Sequence, residues 1–333
     1  MLRFEVGTDD LLHSRFALSP AFELCSLLHA LNGTPPHRAL PAHWAARLRP
    51  VFERLLAHSE LAAVLALQTA SFGANFIALP PTAGLAQTWA DDLAATRATP
   101  PATARADIAR CLAVRPAASP AVAEVLASPR VVERVAAALD LAWHALLAPD
   151  WPQLRAICER DVVHRAGLLG RRGWAAALGG LHSRVRWHEG GIELPDNSTS
   201  TVVRLAGEGL LLVPSVLIQP GTAAFVDDPW PKAIVYPARG TAALWESAEP
   251  TSPAALTELL GRSRARLLTA LAEPAGTTQL ARSLGMAPGA VGDHLGVLRR
   301  AGLLRRARDG RTVLYYRTPV AEALLGAGEG TEG

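Results

Sequence analysis

The chain has 333 residues, half of them apolar, a formal net charge of +3 and three cysteines. That length allows two domains with a sizeable core. The three isolated cysteines, Cys25, Cys111 and Cys158, argue against a disulfide framework, and no apolar run is long enough to cross a bilayer. The opening MLRFEVGTDDLLHSRF lacks the basic-then-apolar pattern of a secretory signal, so a cytoplasmic protein without a membrane partner is expected.

Residues 2–6 read as a short strand. Ser19-Pro20 then opens a helix, with Ser as N-cap and Pro at the first helical position. Phe22, Leu24, Leu27, Leu28 and Leu31 follow at helical spacing until Asn32-Gly33 stops it. Further helices are expected at about 41–57, 60–70, 82–97, 103–112, 120–127, 129–147 and 151–182, each bounded by Pro, Gly or Ser, the last broken near Gly170–Gly173. From about 184 the segments become short, β-branched or alternating: 184–188, 192–194, 201–206, 210–214, 224–227 and 233–236. They read as one antiparallel sheet. The polar, Pro-containing 246–254 reads as a linker and the tail at 321–333 as frayed.

Charge is concentrated after the linker. Residues 258–320 hold eleven arginines against Glu258, Glu273, Asp293 and Asp309, while the long N-terminal region is close to neutral. A basic end on a neutral body suits a polyanion.

Glu258–Leu271 reads as an amphipathic helix ended by Pro274-Ala275-Gly276. Thr277 or Thr278 caps the next helix, which carries Leu280, Ala281 and Leu284 and stops at Gly285. After the turn Met286-Ala287, a second helix runs over about 288–301, with Val291, Leu295 and Leu298 forming one buried stripe. Its other face holds Gly289, Ala290, Gly292, Asp293 and Gly296, then Arg299 and Arg300. A helix inserted into a major groove needs such small or polar residues where it meets the bases. Close approach to DNA is one reason for three glycines there; a GC-rich genome is another. Leu303–Arg308 and Arg311–Arg317 then flank Asp309-Gly310, a two-residue hairpin signal. Leu304, Val313 and Tyr315 are expected to point inward, and Arg306, Arg308 and Arg311 outward, toward phosphates or the minor groove. Helix-turn-helix plus β-hairpin is a winged helix. The fold class expected is therefore α+β and mostly helical: a helical N-terminal region followed by a short antiparallel sheet (1–245), the linker, and a C-terminal winged helix-turn-helix domain (255–320).

Residues 256–318 resemble the ArsR family of bacterial winged-helix regulators. The resemblance rests on Leu280-Ala281, on Val291, His294, Leu295 and Leu298 in the recognition helix, on the Ala301-Gly302-Leu303 step, and on Arg308, Gly310, Arg311 and Tyr315 in the wing. Residues 1–245 are similar to the long N-terminal region of certain actinobacterial ArsR-like proteins, including Pro237–Trp245, and that region supplies no activity to carry over. The chain departs from the family at Gly289 and Gly292, where Ser or Thr is common, and it lacks the paired cysteines that metal-sensing members carry before the turn.

Other chemistry finds little footing. The cysteines do not cluster, His182 and His188 do not form a ligand pair, no glycine-rich phosphate loop follows a strand, and Ser215 lacks a nucleophile elbow. No cofactor, metal site or enzymatic activity is expected. The eight tryptophans, all before residue 246, can serve core packing or line an effector pocket.

The sequence therefore implies a DNA-binding regulator, read as a repressor, that meets double-stranded operator DNA as a homodimer, with an unknown small-molecule effector entering through the N-terminal region. Its expected contacts are Thr278, Gly289, Ala290, Asp293, Arg299, Arg300, Arg308 and Arg311, plus His294, which either touches DNA or packs within the motif. The wing is expected at 303–317. The alternative is a ligand- or protein-binding module whose winged helix serves protein interaction or dimerisation.

Overall fold

The computed structural model describes residues 1–33, 40–69, 72–182, 185–194, 201–218, 221–241, 253–272, 274–309 and 312–326. The chain divides into two compact units, Met1–Glu246 and Ser247–Gly333. The fold is mostly helical with several small sheets. Among the described residues no helix is long and apolar enough to cross a membrane.

The helices of the first unit are α1 (Thr8–His13), α2 (Pro20–Leu31), α3 (Ala42–His58), α4 (Leu61–Ala66), α5 (Trp89–Arg97), α6 (Pro101–Val114), α7 (Pro120–Ala127), α8 (Val131–Ala142) and α9 (Trp151–Leu178). α2 begins as its sequence dictates: Ser19 Oγ accepts from the Phe22 N–H at 3.1 Å, with Pro20 in the first turn. Its Leu24, Leu27 and Leu28 are fully buried in one core with Leu48 and Phe52 of α3, Leu61 and Val64 of α4 and Leu139 of α8. The helix expected over 82–97 is shorter, because Thr88 starts α5 through a reciprocal cap with Asp91. α8 runs into a π turn over Trp143–Leu147. There Trp143 stacks on Trp89 at 4.8 Å and meets Trp151 edge-on at 5.7 Å, while Trp89 Nε1 donates to Asp140 at 2.8 Å. These tryptophans serve packing, as do Trp44 in the same core and Trp174 and Trp187 against the sheet core; Trp245 lies outside the described residues. α9 breaks at Gly173, whose φ of 75° is left-handed.

The strands are β1 (Leu2–Glu5), β2 (Arg15–Phe16), β3 (Arg186–His188), β4 (Gly191–Leu194), β5 (Thr201–Arg204), β6 (Leu211–Ser215), β7 (Ala223–Phe225) and β8 (Ala233–Pro237). They do not form the single antiparallel sheet expected. Among the described residues two four-stranded sheets form instead, in the orders β3-β4-β1-β5 and β2-β6-β8-β7. β1 pairs antiparallel with β4 and parallel with β5, and β6 pairs parallel with both β2 and β8. The N-terminal strands thus return to sheets built mainly from residues after 185. The signal for parallel pairing lies in β6 and β8. LLVPS is buried at every position and AIVY likewise, the continuous apolar pattern of strands covered on both faces.

The second unit contains α10 (Pro253–Leu260), α11 (Arg262–Ala270), β9 (Ala275–Gly276), α12 (Thr277–Leu284), α13 (Pro288–Arg300), β10 (Leu304–Asp309), β11 (Thr312–Arg317) and α14 (Pro319–Gly326). The helix expected over 258–271 is two helices, because Gly261 has φ 80° and ends the first. β9 was not expected. It adds to the wing as a third strand, in the order β10-β11-β9. The tail expected to fray from 321 begins as α14, with Ala321 fully buried and Leu324 and Leu325 packed on the core. Residues 246–252 of the expected linker and 327–333 of the tail lie outside the described residues, and Pro253-Ala254 already belong to α10.

Candidate nucleic-acid interface

α12 starts directly from strand β9. Gly276 occupies the N-cap position, pairs with Leu314, and leaves Thr277 and Thr278 inside the first turn, so neither threonine side chain caps the helix as expected. Gly285 ends α12 in the left-handed region at φ 64°, and the Met286 N–H bonds the Ala281 carbonyl at 2.9 Å. Pro288 then opens α13 at its first turn.

α13 is seated by Val291, Leu295 and Leu298, all essentially buried. On the opposite side Gly289, Asp293, Gly296 and Arg300 fall at i, i+4, i+7 and i+11, one stripe along the helix. Gly289, Ala290, Asp293, Arg299 and Arg300 are exposed, and His294 is half-buried on the flank. A Cβ added at Gly289 or Gly292 would meet nothing within 4 Å, and at Gly296 only Arg300 Nη1 at 3.5 Å. Packing within the chain therefore does not require these glycines. Arg299 and Arg300 occupy the last turn, where cations also complement the helix dipole.

The wing departs from its expected register by one residue in the turn. Asp309 pairs with Thr312, so Asp309 belongs to the strand and not to the turn. Arg311 and the turn itself lie outside the described residues. The inward and outward sets also need correction. Leu304, Arg306 and Arg308 alternate along β10 and so share a face, opposite Arg317, Tyr315 and Val313. Leu304 is buried at the base, Tyr315 is half-buried, and Val313 is 38 % exposed toward the tip. Burial thus changes along the wing rather than across it, because the hairpin extends past the small core. Arg306 and Arg308 are exposed as expected.

Among the described residues, Arg317 and Arg266 of the basic segment have work inside the unit. Arg317 donates to the carbonyls of Leu268 and Thr269 and pairs with Glu322 at 3.2 Å. Arg266 donates to the Leu284 carbonyl at 3.1 Å.

An open cleft of about 860 Å³ lies between α12 and the wing, lined by Thr277, Thr278, Gln279, Arg282, Ser283, Gly276 and Val313. Gln279 and Arg282 were missed from the sequence, although the inward Leu280, Ala281 and Leu284 already oblige them to face outward.

Elsewhere the candidate groups have structural partners. Ser215 is 1 % exposed and its Oγ accepts from the Ile218 N–H. Cys25, Cys111 and Cys158 are buried and donate to the carbonyls of Ile77, Leu67 and Pro214. His188 approaches Glu193 at 3.7 Å. Among the described residues no group of three or more His, Cys, Asp or Glu could hold a metal ion.

No curated protein and no solved structure matches the chain. Residues 259–307 match the family model of a helix-turn-helix domain, which covers α11 to α13 and the start of the wing. That match supports a DNA-binding regulator in general terms.

Proposed function

We propose that the protein is a transcriptional repressor of the ArsR type that acts in the cytoplasm as a homodimer on double-stranded operator DNA. α13 enters the major groove, with residues 289, 290 and 293 toward the bases. Thr278 and Arg299, Arg300, Arg308 and Arg311 meet phosphates, with the wing arginines also able to reach the minor groove. His294, half-buried, sits at the margin of this surface. Symmetric dimers place two such helices about one DNA turn apart, which implies a pseudo-palindromic operator. The unit before it carries no enzymatic activity and serves as the effector or dimerisation domain.

The observation that carries this reading is the side of α13 opposite its buried stripe: small residues without internal packing partners, beside an exposed arginine-bearing wing. The test is the salt dependence of duplex binding by the full chain and by Arg308→Ala. Loss of one phosphate contact lowers the slope of log affinity against log salt by about 1. An unchanged slope sinks the wing assignment.

The exposed Leu259 of α10 and Val320 of α14, at 70 % and 59 %, favour a second reading in which this unit docks protein. Failure of the full chain to bind any duplex at low salt would select it.

A further inference from the structure

Asp293 is the one acidic residue on α13, and it stands on the stripe opposite the buried face. Two usual reasons for such a residue do not apply. It lies beyond the first turn, where the helix dipole would favour it. Its neighbours three and four positions away are Gly289, Ala290, Gly296 and Val297, so no cation on the helix neutralises it. Among the described residues it has no ion-pair partner. A carboxylate there opposes the attraction of a basic unit to phosphate, at the point where the helix is slimmest.

Resting on the DNA-binding reading above, we propose that Asp293 is a specificity-determining residue that selects a C·G base pair in the operator. An ionised carboxylate only accepts hydrogen bonds. In the major groove guanine offers two acceptors and thymine one, adenine sets its N7 acceptor beside the N6 donor, and cytosine offers the N4 donor alone. Asp293 therefore bonds cytosine N4 and repels the other three edges. The glycines at 289 and 296 leave room for its short side chain to reach the base.

The experiment is selection from a randomised duplex pool with the full-length wild-type chain, Asp293→Asn and Asp293→Ala. The wild type enriches one C·G position in each half-site by roughly tenfold over other pairs. Asp293→Asn shifts that position toward A·T, because an amide pairs adenine N6 and N7. Asp293→Ala loses the preference there, keeps it elsewhere, and binds random duplex more tightly. If the wild type retains no duplex, the DNA-binding reading itself falls. If it retains duplex but Asp293→Ala changes no position, the assignment of Asp293 alone falls.

Discussion

Arg317 Nε donates to the Leu268 carbonyl at 2.8 Å, tying the end of the wing to the last turn of α11. A second bond reaches the Thr269 carbonyl at 2.5 Å. Carbonyls at a helix end lack intrahelical partners, and a guanidinium satisfies two of them. Arg317→Ala should therefore destabilise this unit by about 1–3 kcal/mol, read as earlier loss of amide protection in hydrogen exchange across α11. Its salt slope for DNA should match that of the wild type. A reduced slope would place Arg317 on phosphate and contradict its role as a cap.

Gly292 and Gly296 lie inside α13 with room for a methyl group. Glycine in a helix interior costs about 1 kcal/mol relative to alanine. Gly292→Ala and Gly296→Ala should each stabilise the unit by about 0.5–1 kcal/mol, measured by denaturant unfolding. Where the helix backbone approaches DNA closely, the same variants should bind more weakly. Higher stability with unchanged affinity would assign the glycines to composition alone.

The helix-turn-helix was legible because each of its parts is local. Gly285 needs its left-handed φ, Pro288 suits a first turn, and Val291, Leu295 and Leu298 set one face. The wing's register was not legible: strand periodicity constrains which face a residue takes but not which opposite residue it meets. β9 is only two residues long and is held by Leu314 and Tyr315, so local sequence carried no signal for it. The same limit explains the sheets of the first unit. Leu2 pairs with Leu194 and Thr201, partners almost the whole unit away in sequence.

The three cysteines lie in the first unit, and burial raises all three thiols. Cys25 is pushed up to about 12, Cys111 to about 11, and Cys158 well above its ordinary 9.0. Only the thiolate is the effective nucleophile. At pH 8 a colorimetric thiol reagent should therefore titrate no cysteine of the native chain rapidly, and all three after denaturation. Rapid native modification of one thiol would show that its helix opens without global unfolding.

Glu23 and Asp92 set a pH dependence for the first unit. Glu23 is 2 % exposed on α2, and its carboxylate accepts from the N–H groups of Val216 at 2.5 Å and Leu217 at 3.2 Å. Asp92 accepts from the Ala21 N–H at 2.8 Å and from Gln87 Nε2 at 2.7 Å. Burial pushes Glu23 from 4.5 to about 7 and Asp92 from 3.8 to about 7, outweighing the hydrogen bonds that favour the charged forms. The folded chain thus keeps protons that the unfolded chain has released. Stability from these groups is fully present below the ordinary carboxylate range and falls as pH rises toward 7, by up to about 1.4 kcal/mol per pH unit for each group. Above that pH both states are ionised and the contribution levels off. All eight tryptophans belong to this unit, so their fluorescence reports its unfolding. Urea midpoints should decline from pH 5 to pH 7.5, and Glu23→Gln should flatten the profile because the amide cannot titrate. Midpoints that rise over this range would mean that the backbone donors hold both carboxylates ionised despite their burial.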